Sequence, residues 1–166
     1  MFGSIRAATA TDPDSLVDGI RDQWFTITGP GRPVYASTCH GFTNFDTVVE
    51  IYRGACNALS RLASNDNWNG CRSNTGASNT TWSAFSGIQY RIRVRPRLAS
   101  VSSGHYGLVV TCGTTVLPTL SPTPTRTRTP TPTPALTAGI SDTCAAPKGI
   151  RCGQTMFGSI RAATAT

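Results

Sequence analysis

Glutamate and lysine are almost missing from this chain. Its 166 residues contain one of each, Glu50 and Lys148, beside 16 glycines and 11 prolines. That shortage removes the charged helix formers that clothe an amphipathic helix, and it argues against a helical fold. No Cys-x2-Cys pair occurs, and His40 and His105 stand at no ligand spacing, so a structural zinc site is not expected. No apolar run approaches the ~18 residues of a spanning helix, so no membrane span is expected either. Gly-x-Ser-x-Gly is absent and no pair of acids has a useful spacing, so the expectation is that the chain is no enzyme. Met1-Phe2-Gly3-Ser4 lacks the apolar core of a secretion signal. If the protein is secreted, its natural N-terminus is expected upstream, and Met1 is then not the product of a start codon.

Threonine, valine, serine and arginine fill the space that the missing residues leave. Apolar alternation with period two, broken by Gly, Pro and Asn about every 8–12 residues, predicts short strands and an all-β sandwich. Strands are expected at 22–28, 33–39, 46–52, 58–63, 81–85, 88–94 and 104–112, with an eighth at 2–8. A polar loop is expected over 64–79.

Two features organise the chain. The first eleven residues, Met1 to Thr11, return letter for letter as Met156 to Thr166. Such identity marks one period of a repeating array together with the start of the next. The domain is then cut circularly, beginning near Asp142 and continuing at Met1. The second feature is the change of composition near residue 114. Pro118, Pro122, Pro124, Pro130, Pro132 and Pro134 alternate with threonines, which excludes helix and sheet pairing and predicts an extended polyproline II rod. The expected organisation is a β-sandwich body over 1–113, a Pro/Thr-rich linker over 114–139, and a segment over 140–166. That last segment is expected to supply the first strands of the next repeat, or a donor segment for a neighbouring subunit.

The run Asn44-Phe45-Asp46-Thr47-Val48-Val49-Glu50-Ile51-Tyr52-Arg53-Gly54 resembles the bacterial pre-peptidase C-terminal (PPC) domain. Ala63-Ser64-Asn65-Asp66-Asn67, the Tyr90–Val94 strand and Gly104–Val110 are similar to later parts of it. Asp142–Ala146 and Cys152–Thr155 look like its first strands, displaced to the C-terminal end. Read circularly, the resemblance covers about 130 residues, and the order of the motifs carries it. It implies a jelly-roll-like β-sandwich, a non-catalytic module of secreted proteins that is often repeated. The Pro/Thr rod and the arginine-rich strand are departures from the pattern.

Six cysteines, an even number in a β-rich chain, predict three disulfides and an oxidising compartment. Proximity and residual pairing suggest Cys144–Cys152, Cys56–Cys71 and Cys39–Cys112, one of fifteen connectivities. Thr119, Thr123, Thr125, Thr127, Thr129, Thr131 and Thr133 have the composition of an O-glycosylated stalk. Asn79-Thr80-Thr81 is an N-glycosylation sequon. Arg91, Arg93, Arg95 and Arg97 share one strand face, opposite Ile88, Tyr90, Ile92 and Val94. That ladder is either a solvated outer face or a grip for sulfate, uronate or phosphate. Asp46 and Asp66, with Asn44, Asn65 and Asn67, offer oxygens for a structural calcium or simply build turns. Calcium is the one cofactor these residues admit. Trp24 and Trp82 are expected in the core and Trp68 at the surface. The net charge of +7 permits anionic partners, but no aromatic platform accompanies it, so nucleic acid is not expected.

The leading expectation is a structural subunit of an extracellular or cell-surface fibre, assembled head to tail from copies of itself and carrying covalent glycans. The alternative is a non-catalytic carbohydrate-binding or adhesion module of a secreted hydrolase or surface protein.

Overall fold

The computed structural model describes residues 21–71, 76–101, 103–115 and 144–160. It is all-β. The strands are β1 (Gln23–Thr28), β2 (Arg32–Ser37), β3 (Thr47–Arg53), β4 (Ser60–Asp66), β5 (Asn79–Ala84), β6 (Gln89–Pro96), β7 (Gly104–Cys112), β8 (Lys148–Gly149) and β9 (Gln154–Ile160). They form a five-stranded sheet, β4-β3-β6-β1-β8, and a four-stranded sheet, β5-β2-β7-β9. All pairings are antiparallel except β1 with β8. Seven of the eight expected strands are present, with β4 shifted two or three residues towards the C-terminus. The strand expected at 2–8 lies outside the described residues, as do Thr119 to Thr133.

Alternation fills the space between the sheets. Phe25 and Ile27 of β1, Val49 and Ile51 of β3, and Tyr90, Ile92 and Val94 of β6 face Val34, Ala36, Trp82, Ala84, Tyr106, Leu108 and Val110 of the other sheet. Each large side chain removed from water in this way stabilises the fold by roughly 1.5–3 kcal/mol. Trp24 and Trp82 are buried and Trp68 is exposed, as expected.

The outer face of the five-stranded sheet departs from the expectation of solvated arginines. Arg93 is 0% exposed. Its Nε donates to Asp22 Oδ2 at 2.5 Å and its Nη1 to Glu50 Oε2 at 3.3 Å, and its guanidinium lies 5.5 Å from the Trp24 ring centroid. Burial works against the charge of Arg93, but Asp22 and then Glu50 outweigh it and hold the guanidinium more basic than free arginine. Glu50 also meets Arg95 and Arg61, each at 3.4 Å. Burial, and then the Glu50 carboxylate, push the neighbouring Tyr52 hydroxyl up. Arg91 and Arg97 keep partial exposure, and Arg91 donates to the Gly54 carbonyl. The ladder is therefore divided, and its central member holds the sheet's outer layer together.

The disulfides are Cys39–Cys71, Cys56–Cys144 and Cys112–Cys152, with Cα–Cα distances of 5.4, 5.7 and 5.5 Å. All three differ from the pairings that sequence proximity suggests. Cys56 and Cys71 lie beyond opposite ends of β4, whose seven residues span over ~20 Å. Cys112 stands opposite Val34 in the β2–β7 ladder, five residues and about 16 Å from Cys39. Cys144 packs on the outer face of the five-stranded sheet, whereas Cys152 borders the four-stranded one.

Removing Arg93 would take from buried Asp22 its ion pair at 2.5 Å and from buried Glu50 one of its three arginine partners. Arg93→Ala is expected to lower stability by about 3–5 kcal/mol in urea unfolding with disulfides intact, and Arg91→Ala by under about 1 kcal/mol. Equal effects of the two would contradict the division of the ladder.

Candidate functional site

Residues 144–160 close one edge of each sheet, and they do so from the far end of the sequence. The expectation that this segment needs another unit's body differs from what is found here, where it completes the body of its own chain. The physical reason is that β1 and β7 offer the same unpaired main chain to any matching strand. Residues 116–143, which connect the two parts along the chain, lie outside the described residues.

The segment begins on the outer face of the five-stranded sheet. Cys144 is buried there against Trp24 and Tyr52, with Cys56 and Leu59 beside it. Lys148 and Gly149 then pair in parallel with Phe25 and Thr26, and the Ile150 amide donates to the Thr26 carbonyl at 2.9 Å. Ile150 itself enters the core. A turn follows over Arg151–Gln154, in which the Arg151 amide donates to Gln154 Oε1 at 2.8 Å. Gly153 takes a φ of +79°, which favours glycine, and its amide donates to the Val110 carbonyl at 2.8 Å. Cys152 is bonded to Cys112 at this point.

The slot beside β7 then receives Gln154 to Ile160 in antiparallel register, from Val110↔Gln154 to Gly104↔Ile160. Met156, Gly158 and Ile160 point inward, while Thr155, Phe157 and Ser159 point outward. Gly158 decides the fit. A Cβ at this position would run into the Tyr106 ring and Gln23 Oε1. The Tyr106 hydroxyl donates to Gln23 Oε1 at 2.5 Å, and Gln23 Nε2 donates to the Ser159 carbonyl at 3.1 Å. One glutamine of the first sheet thus joins β7 and β9 of the second. Met156 to Ile160 has the same sequence as Met1 to Ile5, which lies outside the described residues.

Outside the slot, Phe157 and Phe42 are 54% and 42% exposed and meet edge to face at 5.4 Å. His40 lies 5.3 Å from Phe157, and His105 lies 4.4 Å from Phe42. Where the segment crosses from one sheet to the other, an open cleft of about 700 Å³ is lined by Thr26, Thr28, Arg151 and Gln154 among others.

The remaining candidates are spread over the body. Arg97 sits between the acids suggested for calcium, with Nε 3.3 Å from Asp66 Oδ2 and Nη1 3.7 Å from Asp46 Oδ2. Asn44 Oδ1 accepts from the His105 amide at 2.8 Å, and Asn65 Oδ1 accepts from the Asn79 amide at 3.0 Å. Asn67 has a φ of 71° in a turn. These side chains are engaged in turns and ion pairs, and among the described residues no group of three or more metal-ligating side chains gathers. Asn79 begins β5 and is half-buried, and the sequon's Thr81 hydroxyl donates to the Val34 carbonyl at 3.1 Å. No helix among the described residues is long and apolar enough to cross a membrane. Sequence reading missed Gln23, Tyr106 and Gly158. The only signal for them was the duplicated strand, which marks Gly158 but neither of its contacts.

Two outcomes follow. Gly158→Val is expected to expel β9, read as faster amide hydrogen exchange across both 154–160 and β7, while Thr155→Val on the outer face leaves exchange unchanged. Burial, and then Asp66, hold the Asp46 carboxyl above its ordinary 3.8, against the pull of Arg97. Because the folded state holds this proton more tightly, the contribution of Asp46 to stability falls as pH rises from 3.8 through the raised value. Carboxyl titration by NMR should show Asp66→Asn lowering the Asp46 pKa and Arg97→Gln raising it.

No protein-family model matches this chain, and no curated protein or solved structure matches it either.

Proposed function

We propose that this chain is a structural subunit of an extracellular, glycosylated fibre built head to tail from PPC-like β-sandwiches. The observation that carries the reading is the placement of residues 144–160. They complete both sheets and are bonded to the body through Cys56 and Cys112, yet along the chain they follow residues 116–143, which hold the Pro/Thr-rich stretch. A strand that completes a sandwich through main-chain pairing does the same for a second copy. Repeated without rotational closure, that contact builds an open filament. Three disulfides suit an oxidising, extracellular setting, and the alternating Thr-Pro composition suits a glycosylated spacer between units.

A second reading, a carbohydrate-binding or adhesion module, draws on the exposed Phe42–Phe157 corner with Asn44 and His105 beside it. Aromatic faces flanked by amide and imidazole groups stack on and hydrogen-bond to sugars. The buried Arg93 counts against the version of this reading that relied on a continuous arginine ladder.

The chain secreted from a glycosylating host is expected to form filaments of regular repeat in negative-stain images, with an intact mass above the bare 17.5 kDa. Monomers at every concentration, together with an unmodified mass, would overturn the fibre. Saturable binding of a soluble oligosaccharide, lost in Phe42→Ala, would select the second reading instead.

A further inference from the structure

We infer that the corner formed by Phe42 and Phe157 binds acidic sugars of the uronate class, with the pyranose stacked on the phenyl rings and its carboxylate held by the imidazoles of His40 and His105. This rests on the second reading above and names its class of sugar. It is independent of the fibre.

Rigidity is the first argument. The loop between β2 and β3 is anchored by the Cys39–Cys71 disulfide. Within it the Thr43 amide donates to the His40 carbonyl at 2.9 Å, and the Thr43 hydroxyl donates to the Thr38 carbonyl at 2.6 Å. Two further bonds tie the loop to β7: the Gly107 amide donates to Thr43 Oγ1 at 3.2 Å, and the Asn44 amide to the His105 carbonyl at 3.1 Å. In the β7–β9 ladder Gly107 stands opposite Phe157. Having no side chain, Gly107 leaves room for the His40 ring, since a Cβ there would stand 2.7 Å from His40 Cγ. Phe42 and Phe157 are thus held at the surface on a fixed frame, 42% and 54% exposed. Exposed rings on a rigid support mark a binding site, because little ordering is left to lose when a ligand arrives.

The placement of protons is the second argument. The Phe42 amide donates to His40 Nδ1 at 3.1 Å. Asn44 Oδ1 accepts from the His105 amide, so Asn44 Nδ2 is the group that faces His105 Nδ1, at 3.4 Å, and donates to it. With both Nδ1 atoms accepting, each neutral ring carries its proton on Nε2. Among the described residues neither Nε2 has a hydrogen-bond partner, and no carboxylate pairs with either ring. The free ring nitrogens are therefore donors, whereas Asn44 Oδ1 and the His40 and His105 carbonyls are already engaged. A neutral sugar brings hydroxyl hydrogens that need acceptors. A carboxylate brings acceptors alone and matches a site of donors. Pyranose C–H groups meet the negative faces of the phenyl rings, and the net charge of +7 draws anions from a distance.

The test is calorimetric titration of the full, oxidised chain with trigalacturonate and with its methyl ester, which keeps the rings and removes the charge. The acid is expected to bind saturably and the ester about tenfold more weakly or worse. Phe42→Ala should abolish binding of the acid. His105→Phe, which keeps a ring beside Phe42, should reduce the acid to the affinity of the ester. Urea unfolding checks that each variant is folded. A measurement on the unaltered chain stands beside them: His40 and His105 are its only histidines, so their Nε2 signals in 1H–15N spectra must move when the acid is added. Equal affinity for acid and ester would overturn the uronate class and leave the sugar reading standing. Binding of neither would overturn both. Binding of the acid with still imidazole signals would place the anion elsewhere and overturn this site, as would a concentration-dependent dimer that Phe157→Ala dissolves.

Discussion

Main-chain groups along the free edges of β1 and β7 have to find partners, and nothing between residues 21 and 115 supplies them. An open strand edge is a template for association, so a β-sandwich either covers it or uses it. Here one short segment covers both. The two residues of β8 contribute little pairing of their own. Their use is to carry the chain past the β1 edge and deliver Ile150 to the core before the turn into β9. The sandwich is completed by this crossing, and so the route of residues 144–160 governs the disulfide pattern, the outer layer over Trp24 and the closure of the second sheet.

That dependence explains the buried charge. Arg93 could not lie dry on an outer sheet face unless something covered it. The Trp24 ring lies over it with Tyr52 beside, and Asp22 and Glu50 neutralise its charge. A buried, paired guanidinium gains little net energy over an apolar group of the same size. It does make the local arrangement specific, because only one placement of β1 beside β6 brings Asp22 to Arg93 while Glu50 approaches from β3. Cys144 packs on the same Trp24 ring, so the outer-layer charge and the C-terminal segment share one aromatic side chain.

Much of the architecture was legible in the residues because strand alternation is a local property. Tyr90, Ile92 and Val94 announce an inward face whatever lies opposite, and the turns at Gly29-Pro30-Gly31 and Ser86-Gly87 bound their strands without outside help. Facts that depend on strand order were not legible. Cys39 looks free to join Cys112 until β2 and β7 are placed antiparallel with Val34 opposite Cys112. Arg93 reads like Arg91 and Arg97 until β1 and β3 bring Asp22, Trp24 and Glu50 to it. The slot was half legible: the repeated Met-Phe-Gly-Ser-Ile draws attention to the sequence that fills it, but Gln23 and Tyr106, which make its glycine obligatory, carry no mark of their own.

Closure within one chain and closure between two chains use the same contacts, so the described interface has no preference between them. The preference comes from the connector and from concentration. A flexible connector keeps the segment near its own body and favours closure within the chain, whereas a stiff one lowers that local concentration without weakening a single contact. A connector of either kind would bear on assembly through its stiffness alone. On this argument the connector would decide between the two closures, and the bonds to Cys56 and Cys112 make the closure within one chain permanent.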